Sequence, residues 1–285
     1  MKYVQLRAFH NVALHGGFSR AATAMGLTQP AVSDQVLGLE QDYDVLLFDR
    51  QKKQIRLTRK GQDLLELTRP MFEIEARALE FLSESRALTS GTLRVIADSA
   101  YHVTGVLSRF RARYPGVHIT LRSGNSQEVE QELIAYRADI GVLGRSAKAG
   151  KFQSVSLGTT PIIAFAAKGF PDLPDRPLAL ADLARYPLVF REQGSKTRQK
   201  LEDAAKAQGV RLRPVIEAEG REAMREIVAA GGGIGFVSEA EYGRDARLVK
   251  IPIKGHVIEM EETVVCVSQR TDVRMIRAFM AMAAT

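Results

Sequence analysis

The 285-residue sequence predicts a multidomain α/β protein in three parts: a small helical domain with a basic hairpin at 1–61, a long helix at 62–89, and a two-lobed α/β region at 90–285. Three observations predict it. Short helices with small residues at their contacts fill the first part, an apolar seam of period 3.5 runs through the second, and apolar strands alternate with amphipathic helices in the third. At roughly 150 residues per domain, the length accommodates about two independent cores.

Residues 1–14 carry Tyr3, Val4, Leu6, Phe9, Val12 and Ala13 near helical spacing, and His15-Gly16-Gly17 ends that helix. A second helix runs from about Ser19, a plausible N-cap, to Met25. Gly26-Leu27-Thr28 makes a tight corner, and Gln29-Pro30 opens a third helix reaching about Leu39, where an early proline costs little because first-turn N–H groups have no intrahelical partner. Two short helices joined by a three-residue, Gly-containing turn read as a helix-turn-helix. Ala22 lets them approach and Val32 points back into their shared core; an ordinary helical hairpin fits the helix content equally well.

Leu64, Leu67, Met71, Ile74, Ala78, Phe81, Ser85 and Leu88 follow at alternating spacings of three and four, with Leu79 and Leu82 widening the stripe. A seam of that period packs against another helix of its kind, so a homodimer is expected; the alternative is packing within its own domain. Pro70 inside the run is expected to kink or restart the helix.

From residue 90 the expected strands are 93–97, 117–121, 140–143, 162–166, 188–190, 215–217, 234–237 and 262–267. The helices between and after them are 102–113, 126–136, 180–185, 195–208, 222–230 and one ending at Met282. This alternation reads as right-handed βαβ units on a parallel sheet. Lobe I is expected at about 90–160 and 267–285 and lobe II at about 161–266, with a cleft where strand ends converge.

Composition narrows the function classes. The chain has 40 Lys and Arg against 33 Asp and Glu, but residues 1–90 contribute only 12 and 11, so the basic excess is no simple nucleic-acid tail. One run is dense: Arg50, Lys52, Lys53, Arg56, Arg59 and Lys60 fall within eleven residues free of acid, either a solvated loop or a phosphate-contacting surface. A single cysteine, Cys266, excludes an internal disulfide framework and a Cys-rich zinc site. Apolar runs are too short to span a membrane and residues 1–20 lack a leader's apolar core, so no membrane partner and a cytoplasmic location are expected.

Residues 1–61 resemble the winged helix-turn-helix of LysR-type transcriptional regulators. The matching residues are Leu6-Arg7-Ala8-Phe9, residues 17–22 (Gly-Phe-Ser-Arg-Ala-Ala), residues 27–33 (Leu-Thr-Gln-Pro-Ala-Val-Ser), Leu39-Glu40, Leu47-Phe48-Asp49-Arg50, and residues 57–61 (Leu-Thr-Arg-Lys-Gly). The seam helix resembles that family's dimerisation helix, residues 91–95 (Gly-Thr-Leu-Arg-Val) the start of its effector-binding domain, and residues 231–235 (Gly-Gly-Gly-Ile-Gly) a turn late in it. The resemblance implies a two-lobed, periplasmic-binding-protein-like effector domain, an allosteric regulator rather than an enzyme, and as partners a double-stranded DNA operator, a small effector, a homodimer or homotetramer and RNA polymerase. Two departures are Asp34, where the family usually carries a basic or amide side chain on its recognition helix, and Pro70.

Sequence-specific binding needs a rigid helix reaching base edges plus cations that fix its register on phosphates. Gln29 and Ser33 share one face of the third helix; Gln29 suits adenine, Pro30 a thymine methyl, and Ser33 and Gln35 further polar contacts. Thr28, Ser19 and Arg20 lie near helix starts, where they serve a phosphate, while plain N-capping explains Ser19 and Thr28 equally well. Arg50, Lys52, Lys53 and Arg56 are expected on the wing.

Four polar loops leave strand ends in the third part: residues 98–101 with Ser99, Ala100 and Tyr101, residues 124–126 with Asn125 and Ser126, residues 158–161 with Thr160, and residues 191–197 with Arg191, Ser195 and Thr197. Arg191 with Ser195 and Thr197 reads as an anion seat; the alternative is that Arg191 pairs with Glu192 or Glu219 and Ser195 caps. The expected effector is a small anion: an aminophosphonate, on a faint likeness to the LysR branch of aminophosphonate catabolism, a carboxylate or a sulfate-like ion. An amine would meet Asp98 or Glu219.

Other signals fail. Residues 194–197 (Gly-Ser-Lys-Thr) lack the lysine directly after glycine of a phosphate-binding loop and carry Val189 where its first glycine belongs; the glycines of 231–235 are followed by Phe236 where a dinucleotide fingerprint needs its third. His10, His15, His102, His118 and His256 show no metal-ligand spacing, so no metal and no cofactor are expected. Cys266 reads as buried packing. A solute-binding protein or small-molecule enzyme on the same two lobes is the rival reading, and it leaves residues 1–90 unexplained.

Overall fold

The computed structural model describes residues 1–49, 55–82, 90–144, 150–255 and 257–285. They fall into two compact units, Met1–Ser85 and Arg86–Thr285.

The first unit comprises α1 (Tyr3–His15), α2 (Phe18–Met25), α3 (Gln29–Asp42), a two-strand hairpin of β1 (Phe48–Asp49) and β2 (Arg56–Leu57), and α4 (Arg59–Leu82). Leu6, Phe9, Val12, Ala22, Val32, Val36 and Phe48 form its core. Ala22 and Val32 are buried as the small-residue reading requires, and Gly26 closes α2 in the left-handed region at φ 65°. Thr28 caps α3, its hydroxyl accepting the Ala31 N–H at 3.4 Å. Ser19 does not cap α2: the helix starts one residue earlier, behind Gly17, and Ser19 stands exposed in its first turn. Buried Glu40 accepts the N–H groups of Leu47 and Phe48 at 2.8 and 3.1 Å, fixing where the chain leaves α3 for the hairpin.

Helix α4 begins at Arg59, three residues before the seam reading placed it, because the Thr58 hydroxyl accepts the Gly61 N–H at 3.0 Å and caps it. It runs through Pro70 without restarting. Leu64 joins the unit core, whereas Leu67, Ile74 and Leu79 expose 60% or more of their surface. Ser85 and Leu88 of the seam lie outside the described residues.

The second unit contains β3 (Gly91–Ala97), α5 (Thr104–Arg113), β4 (Val117–Ser123), α6 (Ser126–Ile134), β5 (Ile140–Leu143), β6 (Phe152–Ala167), α7 (Leu180–Leu183), β7 (Leu188–Arg191), α8 (Lys196–Ala207), β8 (Pro214–Ala218), α9 (Arg221–Ala229), β9 (Gly235–Ser238), α10 (Glu239–Tyr242), β10 (Leu248–Ile251), β11 (Glu259–Val267) and α11 (Arg274–Ala283). The expected all-parallel sheet is corrected to a mixed one. β3 is parallel to β4 and β5, and β7 to β8, but β11 runs antiparallel to both β5 and β6. The reason is that the chain leaves lobe I along β6 and returns along β11, paired from Phe152↔Val267 to Glu259↔Pro161, so the two crossings oppose each other.

β6 is sixteen residues long where a short strand at 162–166 was expected; its first half is largely solvent-exposed and carries no continuous apolar run. β10 and α10 were not anticipated. Val264 and Cys266 pack in the lobe I core with Leu93, Phe110 and Phe279, while Met260 packs in lobe II with Phe190 and Phe236. The return crossing therefore lies near the register shift between Glu262 and Thr263, a few residues before the expected 266/267.

Candidate functional sites

In the first unit, α3 carries its buried residues Val32, Val36 and Leu39 on one side and exposes Gln29, Pro30 and Asp34 on the other. Ser33 and Gln35 are half-buried at the margins. An open groove brings Ser19, Arg20 and Gln29 together with Ile55 at the hairpin's edge. Arg20 lies along it, Nη2 donating to the Gly16 carbonyl at 2.5 Å. Arg56 is exposed on β2 opposite Asp49. Arg50, Lys52 and Lys53 lie outside the described residues. The arrangement presents an exposed helix face, the starts of α2 and α3 and a hairpin edge on one domain, the elements a duplex reader needs.

The second unit holds a cavity of about 150 Å³ between its lobes. Lobe I supplies Asp98, Ser99, Ala100, Asn125 and Glu128; lobe II supplies Arg191, Glu192, Glu219, Gly220, Arg221 and Glu222. Gly194, at φ 93°, comes so near Asn125 that a Cβ would sit 2.9 Å from its Oδ1, so the lobes meet at the rim. Of the expected residues, Ser99, Ala100, Asn125, Arg191 and Glu219 line this cavity. Tyr101 turns out to solvent, 60% exposed. Ser126 is spent on Asp98, its hydroxyl donating to Oδ2 at 2.8 Å, and Thr160 on Ser238 at 2.6 Å. Ser195 and Thr197 are buried at the start of α8 away from the cavity lining, and the Ser195 side chain makes no capping bond. These five therefore do not wall the cavity.

Arg191 is not a free clamp. Its Nε and Nη2 donate to Glu192 Oε2 and Oε1 at 2.8 and 2.7 Å, and the Gly220 N–H donates to Glu192 Oε2 at 3.0 Å. Burial opposes ionisation of Glu192, but these bonds and the Arg191 charge outweigh it and hold the carboxyl below its ordinary range. Arg221 is likewise engaged, its Nη2 lying 2.9 Å from Glu241 Oε1. Burial, and then the neighbouring Glu241, push the Asp98 carboxyl up. The lining thus combines five carboxylates with two guanidinium groups that are already paired.

The Glu219-Gly220-Arg221 loop opening α9 was missed apart from Glu219, although it leaves a strand and starts a helix like the loops that were singled out. Also missed was a cluster beside the cavity: His102 Nε2 stands 2.9 Å from Glu241 Oε1 and 3.5 Å from Glu262 Oε1. These residues are 139 and 160 positions apart, so no local spacing could signal it. Burial, with Asp98 and Glu241 nearby, pushes Glu262 up to about 9. Cys266 is fully buried and burial pushes its thiol up to about 11, against a nucleophilic role. Among the described residues no helix is long and apolar enough to cross a membrane.

Residues 3–62 match the family model described as bacterial regulatory helix-turn-helix protein, lysR family, and residues 86–285 match that of the LysR substrate binding domain. The RuBisCO operon transcriptional regulator of Allochromatium vinosum is 30% identical over 257 residues, covering 88% of this chain and 85% of that protein. The transcriptional regulator CbbR of Rhodospirillum rubrum is 30% identical over 266 residues, covering 92% and 88%. Among solved structures, a full-length OxyR variant from Pseudomonas aeruginosa aligns with TM-score 0.78 at 17% identity, over 99% of this chain and 94% of that one. CbnR complexed with its target DNA aligns with TM-score 0.68 at 20% identity over the whole of both chains. At these identities the structures speak to the fold.

Proposed function

This chain belongs to the LysR family of DNA-binding transcriptional regulators with an effector-binding domain, and from that premise we propose that its effector is a small molecule carrying both an ammonium and an anionic group. The observation that carries this is the Arg191–Glu192 pair on the cavity wall. With both guanidinium groups engaged and five carboxylates around them, a bare anion such as sulfate meets net negative charge. A zwitterion of aminophosphonate or amino-carboxylate type instead gives its amine to Asp98 or Glu219 and competes with Glu192 for Arg191 and the Gly220 N–H. A cavity of about 150 Å³ suits a ligand of few heavy atoms, since one water occupies roughly 30 Å³ in the liquid.

The DNA face in this reading is α3 with Gln29, Pro30, Ser33 and Gln35 toward base edges, Ser19, Arg20 and Thr28 toward phosphates, and the hairpin with Arg50, Lys52, Lys53 and Arg56 flanking the minor groove. The exposed Leu67, Ile74 and Leu79 on α4 pair with a second copy, giving a homodimer or homotetramer that acts in the cytoplasm and contacts RNA polymerase. In this reading the cavity binds the effector and carries out no reaction on it. The experiment is a thermal-shift panel of an aminoalkylphosphonate, its amine-free counterpart and sulfate. Selective stabilisation by the first supports the reading; equal stabilisation by all three refutes the amine contact.

A further inference from the structure

We propose that His102, Glu241 and Glu262 form a transition-metal dication site beside the effector cavity, at the junction of the two lobes. The three residues come from three parts of the unit. His102 precedes α5 in lobe I, Glu241 lies on α10 in lobe II, and Glu262 sits where β11 shifts register between the lobes. One potential donor atom from each lies within 4.8 Å of the others. In a filled coordination sphere with bonds of about 2.0–2.2 Å, such atoms stand roughly 3.0–3.5 Å apart, so only small side-chain rotations separate this arrangement from a coordinating one.

Two further observations point to a missing cation. Glu262 is 3% exposed, yet its Oε2 has no hydrogen-bond partner while Oε1 faces His102. Outside the triad, the buried Oδ1 of Asp98 also has none. Buried carboxylate oxygens are ordinarily satisfied, and an orphan in a polar cluster marks an unfilled partner. Arg221 closes the cluster on the lobe II side, contacting Glu241 at 2.9 Å and the Asp98 carbonyl at 3.1 Å. An imidazole among carboxylates selects Zn²⁺ or Mn²⁺ over Ca²⁺, whose ligands are all oxygen. Bound there, the ion ties both lobes to the crossing strand.

The test uses the full-length protein, stripped with chelator and dialysed, titrated calorimetrically with ZnCl₂ and MnCl₂, with CaCl₂ as the control and thermal shift as a second readout. The expected result is one Zn²⁺ or Mn²⁺ per chain, affinity reduced at least tenfold in His102→Gln and in the isosteric Glu262→Gln, and no change in His118→Gln, a histidine exposed on β4. Circular dichroism checks that the variants fold. Absence of stoichiometric binding to the unmutated protein, or binding that His102→Gln and Glu262→Gln leave intact, overturns the proposal.

Discussion

The Glu192 carboxylate occupies the Arg191 guanidinium from both ends, at 2.8 and 2.7 Å, and takes the Gly220 N–H as well at 3.0 Å. An anionic group entering the cavity must therefore displace an anion the chain supplies itself. Removing that competitor without changing its shape, by Glu192→Gln, is expected to tighten binding of inorganic phosphate and of an aminoalkylphosphonate about tenfold, which corresponds to roughly 1.4 kcal/mol. Isothermal titration reads this directly; unchanged or weaker binding removes Arg191 from the effector contacts.

Asp139 joins two arginines at the edge of lobe I: Oδ1 lies 2.6 Å from Arg94 Nη2 and 2.8 Å from Arg270 Nη2, and Oδ2 accepts the Arg94 backbone N–H at 2.7 Å. Arg270 is 3% exposed. Asp139→Ala leaves that buried cation without this carboxylate and is expected to cost on the order of 3 kcal/mol, measured by urea denaturation of the full chain. A loss below about 1 kcal/mol would show that the network behaves like a surface pair.

His10 contacts the Thr68 hydroxyl at 2.9 Å and stacks on Phe72, joining α1 to α4. Burial first, then the charge of Arg69, lowers its pKa from 6.5 to about 4. The unfolded chain takes up a proton near 6.5 and the folded one only near 4. Stability from this group is therefore complete above pH 6.5 and falls as pH drops toward 4. His10→Gln is expected to flatten the pH dependence of unfolding in that window, and the His10 ring resonance should titrate near pH 4; titration near 6.5 contradicts this.

Gln29 is exposed in the first turn of α3 and Arg56 on the hairpin, so their losses should differ in kind. Gln29→Ala is expected to relax preference at one adenine, by about 1–3 kcal/mol. Arg56→Ala should weaken all sequences alike and lower the salt slope by about 0.9. Fluorescence anisotropy against an operator and its single-base variants, at several salt concentrations, separates the two; the same signature from both refutes the division.

The first unit was legible because its signals are local. Thr28 before Gln29-Pro30, Gly26 after Met25 and the small Ala22 each act within one turn of where they stand, and the fold follows them. Ser19 misled because a hydroxyl near a helix start looks the same one residue inside it. In the second unit, strands with continuous apolar runs such as Ile140–Leu143 stood out, while the exposed half of β6 did not, since its order comes from pairing with β11 a hundred residues later. The cavity was half legible for the same reason: strand-end loops could be read, but which of them face one another depends on the two crossings. Thus Thr160 meets Ser238, and His102 meets Glu241 and Glu262.

In the proposed assembly α3 reads the duplex major groove in tandem with a second copy joined through α4. Its most direct test is a base-resolved interference footprint of the full-length protein on an operator selected from a random library. The expected result is two major-groove contact patches with mirrored sequence, separated by a whole number of helical turns, and a matching dimeric or tetrameric mass. A single patch bound by a monomer, or protection without sequence preference at low ionic strength, would contradict it.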